Sequence, residues 1–129
     1  MIGLSPRQLL SAADELLTES RVDLAGRWPS AVTILCRQAL ERAMLSLWLA
    51  RAPGMQDASY RAQLLCLRRF IDRDLAARVD HTWSALSASC HQRAYDLPPT
   101  AVELARWYST VEELVRAAGK ATAAGRSGA

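Results

Sequence analysis

The densest chemical signal in the chain surrounds His91. The run Ala88-Ser89-Cys90-His91-Gln92-Arg93-Ala94-Tyr95-Asp96 closes one apolar-periodic segment and leads into Leu97-Pro98-Pro99-Thr100. An imidazole changes charge near neutral pH, so His91 could give or take a proton, and a guanidinium could hold the negative charge that such a step develops. Arg93 offers that cation two residues further on, and Arg37 offers it from an earlier segment. Glu41 lies one helical turn after Arg37, where pairing would orient the guanidinium or neutralise it. His91 also has a purely structural use, because the dipole at a helix C-terminus favours an imidazolium. Tyr95, Asp96, Arg73 and His81 are candidate binding residues: Tyr95 could stack on a base, or bury its ring and pin the loop.

Other chemistries find less support. Cys36, Cys66, Cys90 and His91 are ligand types, but no two of them are separated by the two to four residues that zinc sites use, so no metal is expected. No glycine-rich phosphate loop is present, and no cofactor is expected. The cysteines are odd in number and sit in apolar helical surroundings, which suits reduced, inert thiols in a cytoplasmic protein. Arg61 and Arg68 share a helix face, with Arg69 and Arg73 beyond. Such a strip meets phosphates or is a solvated face, and no aromatic residue stands between Arg61 and Arg68.

The elements that must position these residues are helical. The chain has 129 residues, half of them hydrophobic and only one a Phe, so a single core must be built from Leu, Ala, Val and Trp. A net charge of +3, with scattered cations of which only Lys120 is a lysine, argues only faintly for nucleic acid. No segment is apolar for the length that a bilayer span requires, and none resembles a signal peptide.

Ser5-Pro6-Arg7-Gln8 is a capping box that opens a helix running to about Glu19. Pro29 starts a second helix, ended near Arg51 by Pro53-Gly54 and apolar on nearly every side, hence central. Asp57 or Ser59 caps a third, in which Tyr60, Leu64, Leu67 and Ile71 keep helical spacing. Asp72-Arg73-Asp74 marks a break or a kink before a fourth helix carrying Leu75, Val79, Leu86 and Cys90. Thr100 and Glu103 form a second capping box, after which Leu104, Trp107, Val111, Leu114 and Ala118 make the last buried stripe. Gly119 is expected to close that helix, leaving residues 119–129 as a flexible tail on a domain of residues 1–118. The fold class is therefore all-α, an antiparallel bundle of about five helices.

The run Arg37-Gln38-Ala39-Leu40-Glu41-Arg42-Ala43, followed by Cys90-His91 at a helix end and the Leu-Pro-Pro-Thr entry into the last helix, resembles the HEPN superfamily (higher eukaryotes and prokaryotes nucleotide-binding domain). The resemblance covers roughly Leu9 to Val115. It implies a helical bundle, frequent dimerisation and, in many members, a metal-independent RNA cleavage site shared between subunits. There His would act as acid or base for attack by the 2′-hydroxyl, with Arg stabilising the phosphorane.

Active members resemble one another in an Arg, a polar residue and then a His after four to six intervening positions. This chain departs from that pattern. Before His91 the corresponding positions are Ser84, Ala85 and Leu86; before His81, Arg73 is one residue too far. The resemblance thus implies a binding module for RNA, nucleotide or a protein partner such as an antitoxin. The alternative is a ribonuclease with its site around His91, Arg37, Glu41 and Arg93. Two further expectations follow: His91 ends the fourth helix near Arg37 or Glu41, and a homodimer forms through apolar helical surface that includes Trp residues.

Overall fold

A computed structural model describes residues 3–18, 28–91 and 97–127. Five α-helices and one short 3₁₀ turn make up the described residues, with no strand among them: α1 (Pro6–Thr18), α2 (Trp28–Arg51), the 3₁₀ turn Met55–Asp57, α3 (Tyr60–Leu67), α4 (Arg73–Cys90) and α5 (Ala101–Ser127). None of these helices is long and apolar enough to cross a membrane.

Local chemistry sets most of the boundaries. Both capping boxes form: Gln8 N–H donates to Ser5 Oγ at 3.1 Å and Ser5 N–H to Gln8 Oε1 at 2.8 Å, while Glu103 N–H donates to Thr100 Oγ1 at 3.1 Å and Thr100 N–H to Glu103 Oε1 at 3.0 Å. Pro53 follows the end of α2, and Gly54 takes φ 102°, a left-handed conformation in which a side chain would be strained. Of the two expected caps for α3, Ser59 serves, accepting from Ala62 N–H at 3.2 Å. Asp72 caps α4 by accepting from Leu75 N–H at 3.1 Å, so α3 and α4 are separate helices. Ile71 falls in the turn between them rather than in α3.

The long helices alternate in direction. Arg78 of α4 meets Glu113 of α5, and Arg37 of α2 meets Cys90 of α4, so each of these pairs runs antiparallel. Arg51 near the end of α2 instead reaches Ala121 near the end of α5, which makes α2 and α5 parallel across the bundle. Helix α2 packs against α1, α4 and α5, and its Val32, Cys36, Leu40, Met44, Leu47 and Trp48 are sealed from solvent. Burial pushes the Cys36 thiol up to about 12. All three cysteines are free. Trp48 donates from Nε1 to Gln63 Oε1 at 2.8 Å, and Gln63 in turn donates to the Ala58 carbonyl at 2.9 Å, tying α3 to the core.

Gly119 does not end the last helix. Helix α5 continues to Ser127, with Ala118 and Ala121 buried and the Ala121 carbonyl accepting from Arg51 Nη1 at 2.8 Å. Alanine's helix propensity outweighs one glycine, and Arg51 supplies a tertiary anchor that sequence spacing does not reveal. Gly119 is exposed, and a methyl group there would meet nothing. Gly119→Ala is therefore expected to raise stability by about 0.5–1 kcal/mol, read as a shift in urea midpoint; a loss would mean that α5 is interrupted at that position.

Candidate functional site

Two regions draw together residues with chemical potential. The first is the end of α4 against α2. Arg37 Nε lies 3.3 Å from Glu41 Oε2, an i,i+4 pair with side chains 30% and 36% exposed. Its guanidinium pKa is held above the ordinary value first by a hydrogen bond to the Cys90 side chain and then by the Glu41 charge. Solvent reaches this pair, so it contributes less than about 1 kcal/mol.

The end of α4 thus lies near Arg37 as expected, and the side chain there that acts on the guanidinium is Cys90. His91 is the exposed C-cap of α4, its backbone N–H donating to the Ala88 and Ser89 carbonyls. Successive residues on a helix are turned by about 100°, so the geometry that aims Cys90 at Arg37 turns the next position away from it. Arg93, Tyr95 and Asp96 lie outside the described residues.

Beside this contact, Trp83, Ser87 and Cys90 share one face of α4 at i, i+4 and i+7 spacing. Tyr60 stacks on Trp83 with ring centroids 4.5 Å apart and planes 7° from parallel. Tyr60 Oη, Trp83 Nε1 and Ser87 Oγ are all sealed from solvent without a hydrogen-bond partner. Burial, and secondarily the Glu41 charge, push the Tyr60 phenol above its usual range, while Arg37 opposes them. At neutral pH this hydroxyl is therefore a hydrogen-bonding group rather than a base.

The second region is a groove of about 430 Å³ between α4 and α5, and it holds His81. Arg78, His81 and Thr82 line it from α4; Glu103, Arg106, Trp107 and Thr110 line it from α5. Antiparallel packing assembles it from two segments some 25 residues apart. Arg73, the other member of the motif-like pair, opens α4 two turns before His81, exposed and outside the groove.

Arg78 spans the two helices, its Nη1 and Nη2 at 2.6 and 3.1 Å from the Glu113 carboxylate, with Asp74 also within 3.8 Å. The hydrogen bond from Arg78 is the main cause holding the Glu113 carboxyl below its usual range. A carboxylate with a lowered folded-state pKa adds stability above its unfolded value and loses that contribution as pH falls through the folded value. Glu113→Gln should therefore cost less than about 1 kcal/mol at neutral pH, since both side chains are 43% exposed, and progressively less as pH falls through the folded-state value. Melting curves of the two proteins whose separation does not shrink on acidification would contradict this role.

A smaller cleft of about 240 Å³ lies between α3 and α4, where Arg61 and Arg68 are joined by Asp80, Trp83 and Ser84. No aromatic residue stands between Arg61 and Arg68 in the sequence. Trp83 reaches it from the next helix, a neighbour visible only once α3 folds back onto α4. Among the described residues no group of three His, Cys, Asp or Glu converges as a metal would require. Comparison with protein families, with characterised proteins and with solved structures finds no match to this chain.

Proposed function

We propose that the chain is a HEPN-like helical binding module that pairs with a second copy of itself through α2. The observation that supports this reading is a set of exposed apolar side chains on the outer side of a helix whose inner side is buried. Ile34, Leu45 and Leu49 are 48%, 44% and 56% exposed. Helical spacing places them within about 60° of one another along roughly 22 Å of the axis. Gln38, Glu41 and Arg42 lie between Ile34 and the two leucines on this face, so its apolar part centres on Leu45 and Leu49; exposed apolar residues placed this way suit an isologous contact between two copies of the helix. Trp48 takes no part in that face, being fully sealed in the core. Placing lysines at Leu45 and Leu49 tests the assignment: the variant should sediment as a single chain and the parent as a pair.

Nucleic acid is the ligand class that the resemblance implies, and the Arg61–Arg68 cleft with Trp83 supplies cations beside an aromatic ring for it. The ribonuclease reading keeps one supporting observation, the proximity of Arg37 to the end of α4 that carries His91. Toxicity on overexpression that is relieved by His91→Ala would favour it over the binding module.

A further inference from the structure

The groove between α4 and α5 is built to hold something. Thr82 and Thr110 are 4% and 6% exposed, and both line it. Thr33, equally buried, returns its hydroxyl to the Pro29 carbonyl of its own helix at 2.8 Å. Neither Thr82 nor Thr110 forms such a bond or any other side-chain hydrogen bond with a described residue, and neither hydroxyl is sealed off as those of Tyr60 and Ser87 are. Two hydroxyls thus stand without a side-chain hydrogen-bond partner among the described residues, on the floor of a cavity large enough for a small molecule.

The walls and rim narrow the choice of occupant. Ala77 and Ala85 from α4 and the half-buried Trp107 from α5 give an apolar lining, which suits a flat hydrocarbon or aromatic body. At the rim the charges nearly balance. Arg78 is committed to Glu113 and Asp74, whereas Arg106 has no carboxylate within 4 Å among the described residues. Glu103, which also lines the groove, spends one carboxylate oxygen on the Thr100 N–H.

With Arg106 free of carboxylates among the described residues, and one carboxylate and the His81 side chain also on its walls, the groove is poorer in cations than a nucleotide polyphosphate needs. A single carboxylate matches the guanidinium fork and adds one negative charge. We infer that this groove is a binding site for a planar aromatic monocarboxylate, its ring against Trp107 and the two alanines, its carboxylate on Arg106 and its edge within reach of Thr82 and Thr110. The site is independent of the α2 face, so its success or failure leaves the pairing of the chain untouched.

Amide NMR spectra of the full chain, titrated with 2-naphthoate, test the site. Saturable shifts should appear in residues 77–85 and 103–110. The uncharged 2-naphthamide should bind about tenfold more weakly, and inorganic phosphate and adenosine monophosphate should give no saturable shift in those residues. Arg106→Gln, at an exposed position that the fold tolerates, should weaken 2-naphthoate about tenfold. The isosteric double variant Thr82→Val with Thr110→Val should weaken it as well. The inference is overturned by an absence of saturable shifts with 2-naphthoate, by equal affinity for the amide, or by an Arg106→Gln protein that binds as the parent does. Saturable binding of adenosine monophosphate in the same residues would overturn it in favour of a nucleotide site.

Discussion

Replacing Trp48 by alanine is expected to remove about 3–5 kcal/mol of folding stability, the largest single effect in the domain. Trp48 is fully sealed, meets Phe70 edge to face with centroids 5.9 Å apart, and donates its indole N–H to Gln63. The substitution empties the volume of an indole in the last turn of α2 and orphans the Gln63 carbonyl, so a cavity and an unpaired acceptor act together. Trp83 provides the internal comparison. It is only half-buried and its Nε1 has no partner, so its removal deletes an unsatisfied donor along with its packing and should cost less. Urea unfolding at a fixed protein concentration measures both. A Trp48→Ala protein within about 1 kcal/mol of the parent would mean that the end of α2 is not packed as described.

The second large effect is on assembly. Leu45 and Leu49 are about half-exposed on the single chain, so lysine at both positions should change the stability of an isolated subunit by only a few tenths of a kcal/mol. In a pair they would face apolar surface, and each ammonium would have to leave water at a cost of several kcal/mol without a counter-charge. Isologous symmetry applies every substitution twice, so two changes place four charges in one interface. The expected outcome is complete dissociation with the helical content retained. Loss of helix in the variant would instead place these side chains in the core.

The sequence was most legible where structure depends on residues three or four apart. Both capping boxes, the Pro53-Gly54 stop and the Asp72 break are local hydrogen-bonding or steric choices, and all four stand where the pattern put them. Legibility failed where a distant side chain decides. The persistence of α5 past Gly119 depends on Arg51, seventy positions earlier. The face presented by the end of α4 depends on helical phase: Cys90, which reads as an inert apolar residue, meets Arg37, and the imidazole that attracts notice does not.

The α4–α5 groove was legible only in fragments. His81 is a candidate binding residue through its spacing from Arg73, but Arg106, Trp107 and the two threonines carry no motif, and only antiparallel packing brings them together with it. Thr82 and Thr110 read as ordinary helix residues because their significance lies in a hydrogen bond that they do not make.

Pairing through α2 is the central claim, and the mass of the chain in solution tests it most directly. Light scattering over dilution from hundreds of micromolar to about one micromolar should return twice the 14.2 kDa chain mass at the upper end, with a melting temperature that falls on dilution. A mass of 14.2 kDa throughout, with melting independent of concentration, would contradict it.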